Sequence, residues 1–123
     1  GNFTEPTTGL SVNGINTQGE NIADNGGIKE AYNAYLRYLE EHGEELPLPG
    51  LNYTPKQLFW VSAASISCSV ERPEALKLMI TLDPHSPEQF RVNGPLSNMP
   101  EFSEDFNCPN DSKMNTEQKC KVW

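Results

Sequence analysis

Cationic residues and long apolar runs are both scarce in this 123-residue chain. Nine Lys and Arg stand against seventeen Asp and Glu, which leaves a formal charge of −8 at pH 7. Binding to the phosphate backbone of DNA or RNA needs clustered cations, so we predict no nucleic-acid partner. No window holds the roughly 20 apolar residues of a membrane-spanning helix, so we expect membrane contact only through an anchor elsewhere in a longer parent protein.

Cysteine is also scarce, and its total is odd. Cys68 lies in an apolar run, where a buried and inert thiol is the default expectation. Cys108 and Cys120 lie in polar, loop-like sequence, which is more typical of disulfide cysteines. An odd total means that at least one disulfide partner lies on another chain or on a part of the protein outside these 123 residues.

Three N-x-Ser/Thr tripeptides begin at Asn2, Asn52 and Asn110. Each lies in turn-like sequence, and three in a chain of this length favour glycosylation and an extracellular location. The alternative is that polar loops rich in Asn and Ser contain such tripeptides without being modified.

The apolar spacing predicts a mainly helical fold with loops between the helices and little or no sheet, because no run alternates with a period of two. The first helix is expected from about Thr17 to His42, ending at Gly43. A second helix, apolar nearly all round, is expected over 56–68, with Thr54 as its N-cap and Pro55 as its first residue. A third helix is expected to begin at Pro73 and to end before Asp83. Beyond it, only short structured pieces are expected, around 90–92 and 99–106.

Two features of these helices indicate packing against something else. Gly26 and Gly27 lie inside the first helix, where each costs about 1 kcal/mol relative to Ala, so we expect a close backbone approach there. A helix that is apolar nearly all round belongs in the middle of a larger body. A chain of 123 residues offers little to surround it.

Glu20 and Asp24 are four residues apart, so both carboxylates lie on one face of the first helix. One interpretation is a capping box, in which Glu20 reaches back to Thr17 and Asp24 is an ordinary first-turn acid. The other is a cation site, in which an ion sits between the two acids, or in which Glu20 binds a metal and Asp24 orients a metal-bound histidine. The spacing alone favours the capping box.

Histidines that could complete a metal site are few. Glu20 and His42 lie about 33 Å apart along one helix at 1.5 Å per residue, so they cannot share an ion. His85 is the remaining histidine. One Glu and one His fall short of the three protein ligands of a catalytic zinc, so these residues alone should not hold one.

The stretch 12–27, Val-Asn-Gly-Ile-Asn-Thr-Gln-Gly-Glu-Asn-Ile-Ala-Asp-Asn-Gly-Gly, resembles the second zinc motif of the neprilysin and endothelin-converting-enzyme family of zinc metallopeptidases. Nearly the whole chain resembles the C-terminal part of that family's gluzincin-type catalytic domain, so 1–123 is expected to be such a segment. The other matching motifs, in order, are Pro49-Gly50-Leu51, Lys56-Gln57-Leu58-Phe59, Arg72-Pro73-Glu74, His85-Ser86-Pro87, Phe90-Arg91-Val92, Glu101-Phe102-Ser103 and Cys120-Lys121-Val122-Trp123.

The resemblance implies a role for four residues of the catalytic centre. Glu20 matches the third zinc ligand, and Asp24 matches the aspartate that orients a zinc-binding histidine. His85 matches the histidine that stabilises the oxyanion of the tetrahedral intermediate. Arg91 matches the arginine that engages the substrate backbone and buttresses the site. Without the resemblance, His85 would be taken as a surface-loop histidine and Arg91 as a solvated or ion-paired cation.

The resemblance also implies a substrate pocket and a disulfide framework. Ile66 and Ser67 fall near the pocket for the residue after the scissile bond, where a bulkier aromatic often stands at the second position. The size of this pocket therefore stays open. Cys68, Cys108 and Cys120 match family disulfide cysteines whose partners lie upstream.

The H-E-x-x-H helix, which provides two zinc ligands and the general base, has no match in this sequence. We therefore predict a zinc metalloendopeptidase whose active site needs the upstream part of the same protease. It would hold one zinc per complete catalytic domain, cleave peptide substrates with a zinc-bound water, and be secreted or form the ectodomain of a membrane-anchored protein. The segment alone is predicted to be inactive and without zinc.

Two alternatives accompany this prediction. The first is a secreted, non-catalytic binding or structural module that retains the helical scaffold of such a protease. The second is a fragment expressed by itself, whose apolar helix over 58–66 would need a partner chain or self-association to be covered.

Overall fold

The computed structural model describes residues 3–122, and its longest helix, α1, runs over Gln18–His42 as the apolar spacing predicted. α1 ends at Gly43, whose φ of +86° suits glycine and whose N–H donates to Leu39 O at 2.8 Å. The capping-box interpretation of its start is wrong. Thr17 precedes the helix but makes no side-chain cap: its hydroxyl donates to Asn13 O at 3.2 Å, and the hydroxyl oxygen accepts from the side chain of Asn21 at 2.9 Å and from no backbone N–H of the first turn.

The second helix, α2, covers Pro55–Ser65 and has the predicted N-cap. Thr54 Oγ1 accepts from Gln57 N at 3.1 Å, and Gln57 Oε1 accepts from Thr54 N at 3.0 Å, which completes a capping box. The helix ends three residues before the predicted end at Cys68. Cys68 is exposed, so the default expectation of a buried thiol is also wrong.

Three shorter helices follow, namely α3 over Pro73–Leu82, α4 over Glu88–Asn98 and α5 over Pro100–Asp105. α4 is longer than the short piece predicted around 90–92, because the helix continues through Pro95. Pro95 and Leu96 are buried, and this burial accounts for a helix that tolerates one missing N–H donor. Among residues 3–122 the only β pairing is two isolated bridges, Thr4 with Ser11 and Ser112 with Asn115.

The core lies where α1, α2, α4 and α5 meet. Tyr32 and Trp60 are at most 2% exposed, and their rings stack with centroids 4.2 Å apart. Asp105 Oδ2 accepts from Tyr32 OH at 2.6 Å and from Trp60 Nε1 at 2.7 Å, so both buried donors share one acceptor. Burial and the hydrogen bond to Asp105 raise the pKa of Tyr32 well above its usual value.

The residues described cover only one side of α2. Trp60 is its single buried residue, whereas Val61 is 43% exposed. Close packing at the glycines of α1 is only partly found: Gly26 is buried, but a Cβ on Gly27 would meet no atom within 4 Å. None of the helices within residues 3–122 has the length and apolar character needed to cross a membrane.

Candidate active site

Two elements form the candidate site: the first turns of α1 and the loop 83–87 that precedes α4. Prolines at positions 84 and 87 keep this loop out of helix, so the two residues between them, His85 and Ser86, lie just before the start of α4. His85 Nε2 lies 3.2 Å from Glu20 Oε2. The tertiary structure thus places the predicted zinc ligand and the predicted oxyanion-stabilising histidine side by side.

The orientation of the His85 ring is set within its own loop. Asp83 Oδ1 accepts from His85 N at 2.8 Å and lies 2.7 Å from His85 Nδ1. These hydrogen bonds hold the pKa of Asp83 below its usual value. With Nδ1 directed at Asp83, Nε2 is the nitrogen that faces Glu20. Sequence reasoning did not single out Asp83, although an Asp directly before a Pro is a recognised turn signal.

Asp24 and Arg91 form a two-pronged salt bridge between α1 and α4. Arg91 Nε donates to Asp24 Oδ2 at 2.9 Å, and Nη2 donates to Asp24 Oδ1 at 2.8 Å. The hydrogen bonds to Asp24 raise the pKa of Arg91 further above its usual value. Glu88, one turn earlier on α4, lies 3.9 Å from Nη1. In the part of the chain described here, Asp24 is therefore paired with Arg91 and not with a histidine.

A cavity of about 970 Å³ lies between α1, α2 and α4. Asp24 and Arg91 form part of its wall, and the two predicted pocket residues, Ile66 and Ser67, line it at the end of α2. Ile66 is 89% exposed, which leaves its side chain open to a further element or ligand. Apolar residues of all three helices complete the lining, including Ile28, Leu58 and Val92.

The donors present suit part of a zinc shell. The carboxylate of Glu20 is a typical zinc ligand, and its side chain is 41% exposed. Within residues 3–122, however, no cluster of three or more His, Cys, Asp or Glu side chains could hold a metal ion. A catalytic zinc normally has three protein ligands, so further ligands would have to come from outside these residues.

The predicted modification sites lie mostly at the surface. Cys68 and Cys120 are exposed and Cys108 is half-buried, and all three thiols are free in the structure. Their pairing with upstream cysteines stays a prediction. The exposed Asn52 and Asn110 side chains are accessible to glycosylation, which also stays a prediction, and Asn2 lies outside the described residues.

Comparison of the sequence with known proteins identifies its family. The family model described as peptidase family M13 matches residues 1–122. The chain belongs to peptidase family M13. Neprilysin-2 of Drosophila melanogaster is 61% identical over 123 residues, and human neprilysin is 51% identical over 124 residues. Both alignments cover this M13 chain completely but only 16% of the relative, so the chain spans about one-sixth of the length of these proteins.

Two solved structures share the fold of this M13 chain. The Haemonchus galactose-containing glycoprotein complex matches with a TM-score of 0.89 and 44% identity, over 98% of this chain and 20% of that one. The zinc metalloprotease Zmp1 of Mycobacterium tuberculosis, in its open state, matches with a TM-score of 0.87 and 28% identity, over 98% of this chain and 19% of that one. These matches confirm the mainly helical, metallopeptidase-type fold.

Proposed function

We propose that this M13 chain is the C-terminal segment of a zinc-dependent metalloendopeptidase that hydrolyses peptides. The observation that carries the proposal is the 3.2 Å approach of His85 Nε2 to Glu20 Oε2, residues 65 positions apart in the sequence. The nearby Arg91–Asp24 salt bridge joins α1 to α4, the helix that follows the His85 loop. Membership of the M13 family supports a peptidase as the parent protein.

Glu20 is the residue of this chain that would bind the zinc ion, through its carboxylate. When bound, the ion polarises a water molecule and the scissile carbonyl. Asp24, one turn further along α1, holds Arg91 in place and would orient a zinc-binding histidine supplied by the upstream part. The remaining ligands and the general base would lie on that upstream part.

His85 and Arg91 would stabilise negative charge on the substrate. Asp83 accepts from Nδ1–H of His85, so when the ring carries both protons Nε2–H can donate towards an oxyanion. Arg91 carries a permanent charge, and Asp24 fixes its guanidinium in one orientation at the cavity wall. A positive group held in advance of the reaction stabilises developing charge without reorganising.

The lining of the cavity suits a peptide substrate with an apolar side chain after the scissile bond. Ile66 and Ser67 lie at one end of it, and the apolar faces of α1, α2 and α4 line most of the rest. Arg91 borders the same cavity, where it could engage the backbone carbonyl of the bound peptide. We infer an extracellular enzyme, secreted or membrane-anchored, with Cys68, Cys108 and Cys120 paired to upstream cysteines.

Zinc content and peptidase activity of the full-length parent test this proposal, with the 123-residue chain measured in parallel. We expect about one zinc per full-length molecule and zinc-dependent cleavage of a short peptide, and neither in the isolated segment. Glu20→Gln should lower zinc content, and Asp24→Ala should lower it less. Glu30→Gln, an exposed acid on the same helix, is the matched control and should change neither property.

A full-length parent that lacks both an H-E-x-x-H helix and peptidase activity would favour the alternative of a non-catalytic secreted module. Equal loss of zinc in Glu20→Gln and Asp24→Ala, or retention in both, would contradict the roles given to these two residues.

A further inference from the structure

A second contact, partly buried, joins the His85 loop to α1. Ser86 is 5% exposed, and its hydroxyl donates to Asn21 Oδ1 at 2.8 Å. Asn21 directly follows Glu20, and Ser86 directly follows His85. We propose that Asn21 and Ser86 are positioning residues that hold His85 in register with Glu20, an inference that rests on the peptidase function proposed above.

The hydrogen-bond partners of Asn21 determine which way its amide points. Thr17 is 3% exposed, and its single hydroxyl proton is donated to Asn13 O at 3.2 Å. The Thr17 oxygen can therefore only accept, and it does so from Asn21 Nδ2 at 2.9 Å. This turns Asn21 Oδ1 towards Ser86, whose one proton it accepts.

The resulting chain runs in one direction, from Ser86 through Asn21 and Thr17 to the backbone of Asn13. Its middle member must accept at one end and donate at the other, which an amide does and a carboxylate does not. Because two of its hydroxyls are buried, breaking one link leaves a polar atom without a partner. The chain thus resists displacement of the loop from α1.

This contact and the Asp83 contact act on different features of His85. Asp83 belongs to the same loop as His85, so its hydrogen bonds orient the ring relative to the loop. The bond between Ser86 and Asn21 instead fixes the loop relative to α1. Losing it should move His85 away from the reacting oxygen while leaving the ring's own hydrogen bond intact.

The expected consequence for catalysis is weaker stabilisation of the transition state, with substrate binding little changed. His85 is proposed to bind the oxyanion, which exists only after water has attacked the carbonyl. Displacing His85 should therefore lower kcat and leave KM nearly unchanged. Affinity for a phosphonate peptide that mimics the tetrahedral intermediate should fall with kcat, whereas affinity for a product peptide should not.

Ser86→Ala in the full-length zinc enzyme tests the proposal, combined with His85→Ala in a double-mutant cycle. We expect Ser86→Ala to lower kcat and phosphonate affinity about tenfold, with zinc content and KM kept. In the His85→Ala background the same change should alter kcat by less than about twofold, because the group being positioned is absent. Ser97→Ala is the control, since it removes a hydroxyl bound to Gly94 O on α4, and it should leave kcat unchanged.

Either of two outcomes would overturn the proposal: an unchanged kcat in Ser86→Ala, or an equal loss of kcat with and without His85. If Ser86→Ala does not fold, as judged by its thermal midpoint, Asn21→Ala replaces it. Asn21→Ala removes the acceptor of the Ser86 hydroxyl, so the loop loses the same contact with α1 and the same kcat pattern is expected. A wild-type enzyme without zinc-dependent activity would overturn the proposed function itself. Measuring that activity first therefore separates failure of the proposed function from failure of the positioning role alone.

Discussion

Removing the carboxylate of Asp105 should destabilise the helical core far more than its position near the end of α5 suggests. Its Oδ2 accepts from Tyr32 OH and Trp60 Nε1, whose residues are at most 2% exposed. Asp105→Ala leaves both buried donors without a partner. Each unsatisfied buried donor costs about 1–3 kcal/mol, so for two donors we expect the free energy of unfolding to fall by roughly 2–6 kcal/mol.

Asp105→Asn separates the hydrogen bonds from the charge. One amide oxygen can still accept from Tyr32 and Trp60, so only the extra strength of bonds to an ionised acceptor is lost. We expect a smaller decrease, of about 1–2 kcal/mol. Glu104→Ala, at the exposed neighbouring residue of α5, is the matched control and should stay within about 0.5 kcal/mol of wild type.

Urea unfolding followed by circular dichroism at 222 nm measures these differences, because most of the ordered structure is helix. The expected order of stability is wild type and Glu104→Ala, then Asp105→Asn, then Asp105→Ala. Equal stability of Asp105→Ala and Glu104→Ala would refute the reasoning, since it would mean that water or a rearranged side chain satisfies both donors at no cost.

Three further predictions concern pH, the inter-helix salt bridge and a helix cap. The raised pKa of Tyr32 favours its protonated form in the folded state. Its contribution to the free energy of unfolding is therefore complete below the unfolded pKa of about 10, and it is lost progressively as the pH rises from there towards the folded pKa. Unfolding curves above pH 10 should show stability falling by up to about 1.4 kcal/mol per pH unit from this residue, and an equally steep fall in Tyr32→Phe would contradict the assignment. Arg91→Lys cannot reproduce the two-pronged contact with Asp24, so it should lower kcat/KM of the full-length enzyme at least about tenfold, and wild-type kinetics would rule out a need for the guanidinium fork. Thr54→Ala removes the cap of α2 and should cost about 1 kcal/mol in urea unfolding, whereas Thr81→Ala, which removes an exposed hydroxyl bound to Lys77 O, should cost less.

Local features of the sequence were sufficient to predict most helices. Thr54 and Pro55 mark the start of α2, and Gly43 marks the end of α1, because caps and backbone conformation depend on a few neighbouring residues. α4 was underestimated since Pro95 weakens the helical signal, and only its burial against the core explains why the helix continues. Thr17 departs from the prediction for a local reason: its hydroxyl donates to Asn13 O and accepts from Asn21 Nδ2, so it does not cap α1.

The candidate site was likewise determined partly by the local sequence and partly by the tertiary structure. The sequence by itself determined that Glu20 and Asp24 share one face of a helix, since their spacing matches the helical repeat, and the motifs determined the family. Only the tertiary structure decided that His85 meets Glu20, that Arg91 binds Asp24 and that Ser86 binds Asn21. These partners lie 65 to 67 residues apart, so their contacts depend on how α4 packs on α1. No local pattern encodes that packing, because it is settled by the burial of side chains from the whole core.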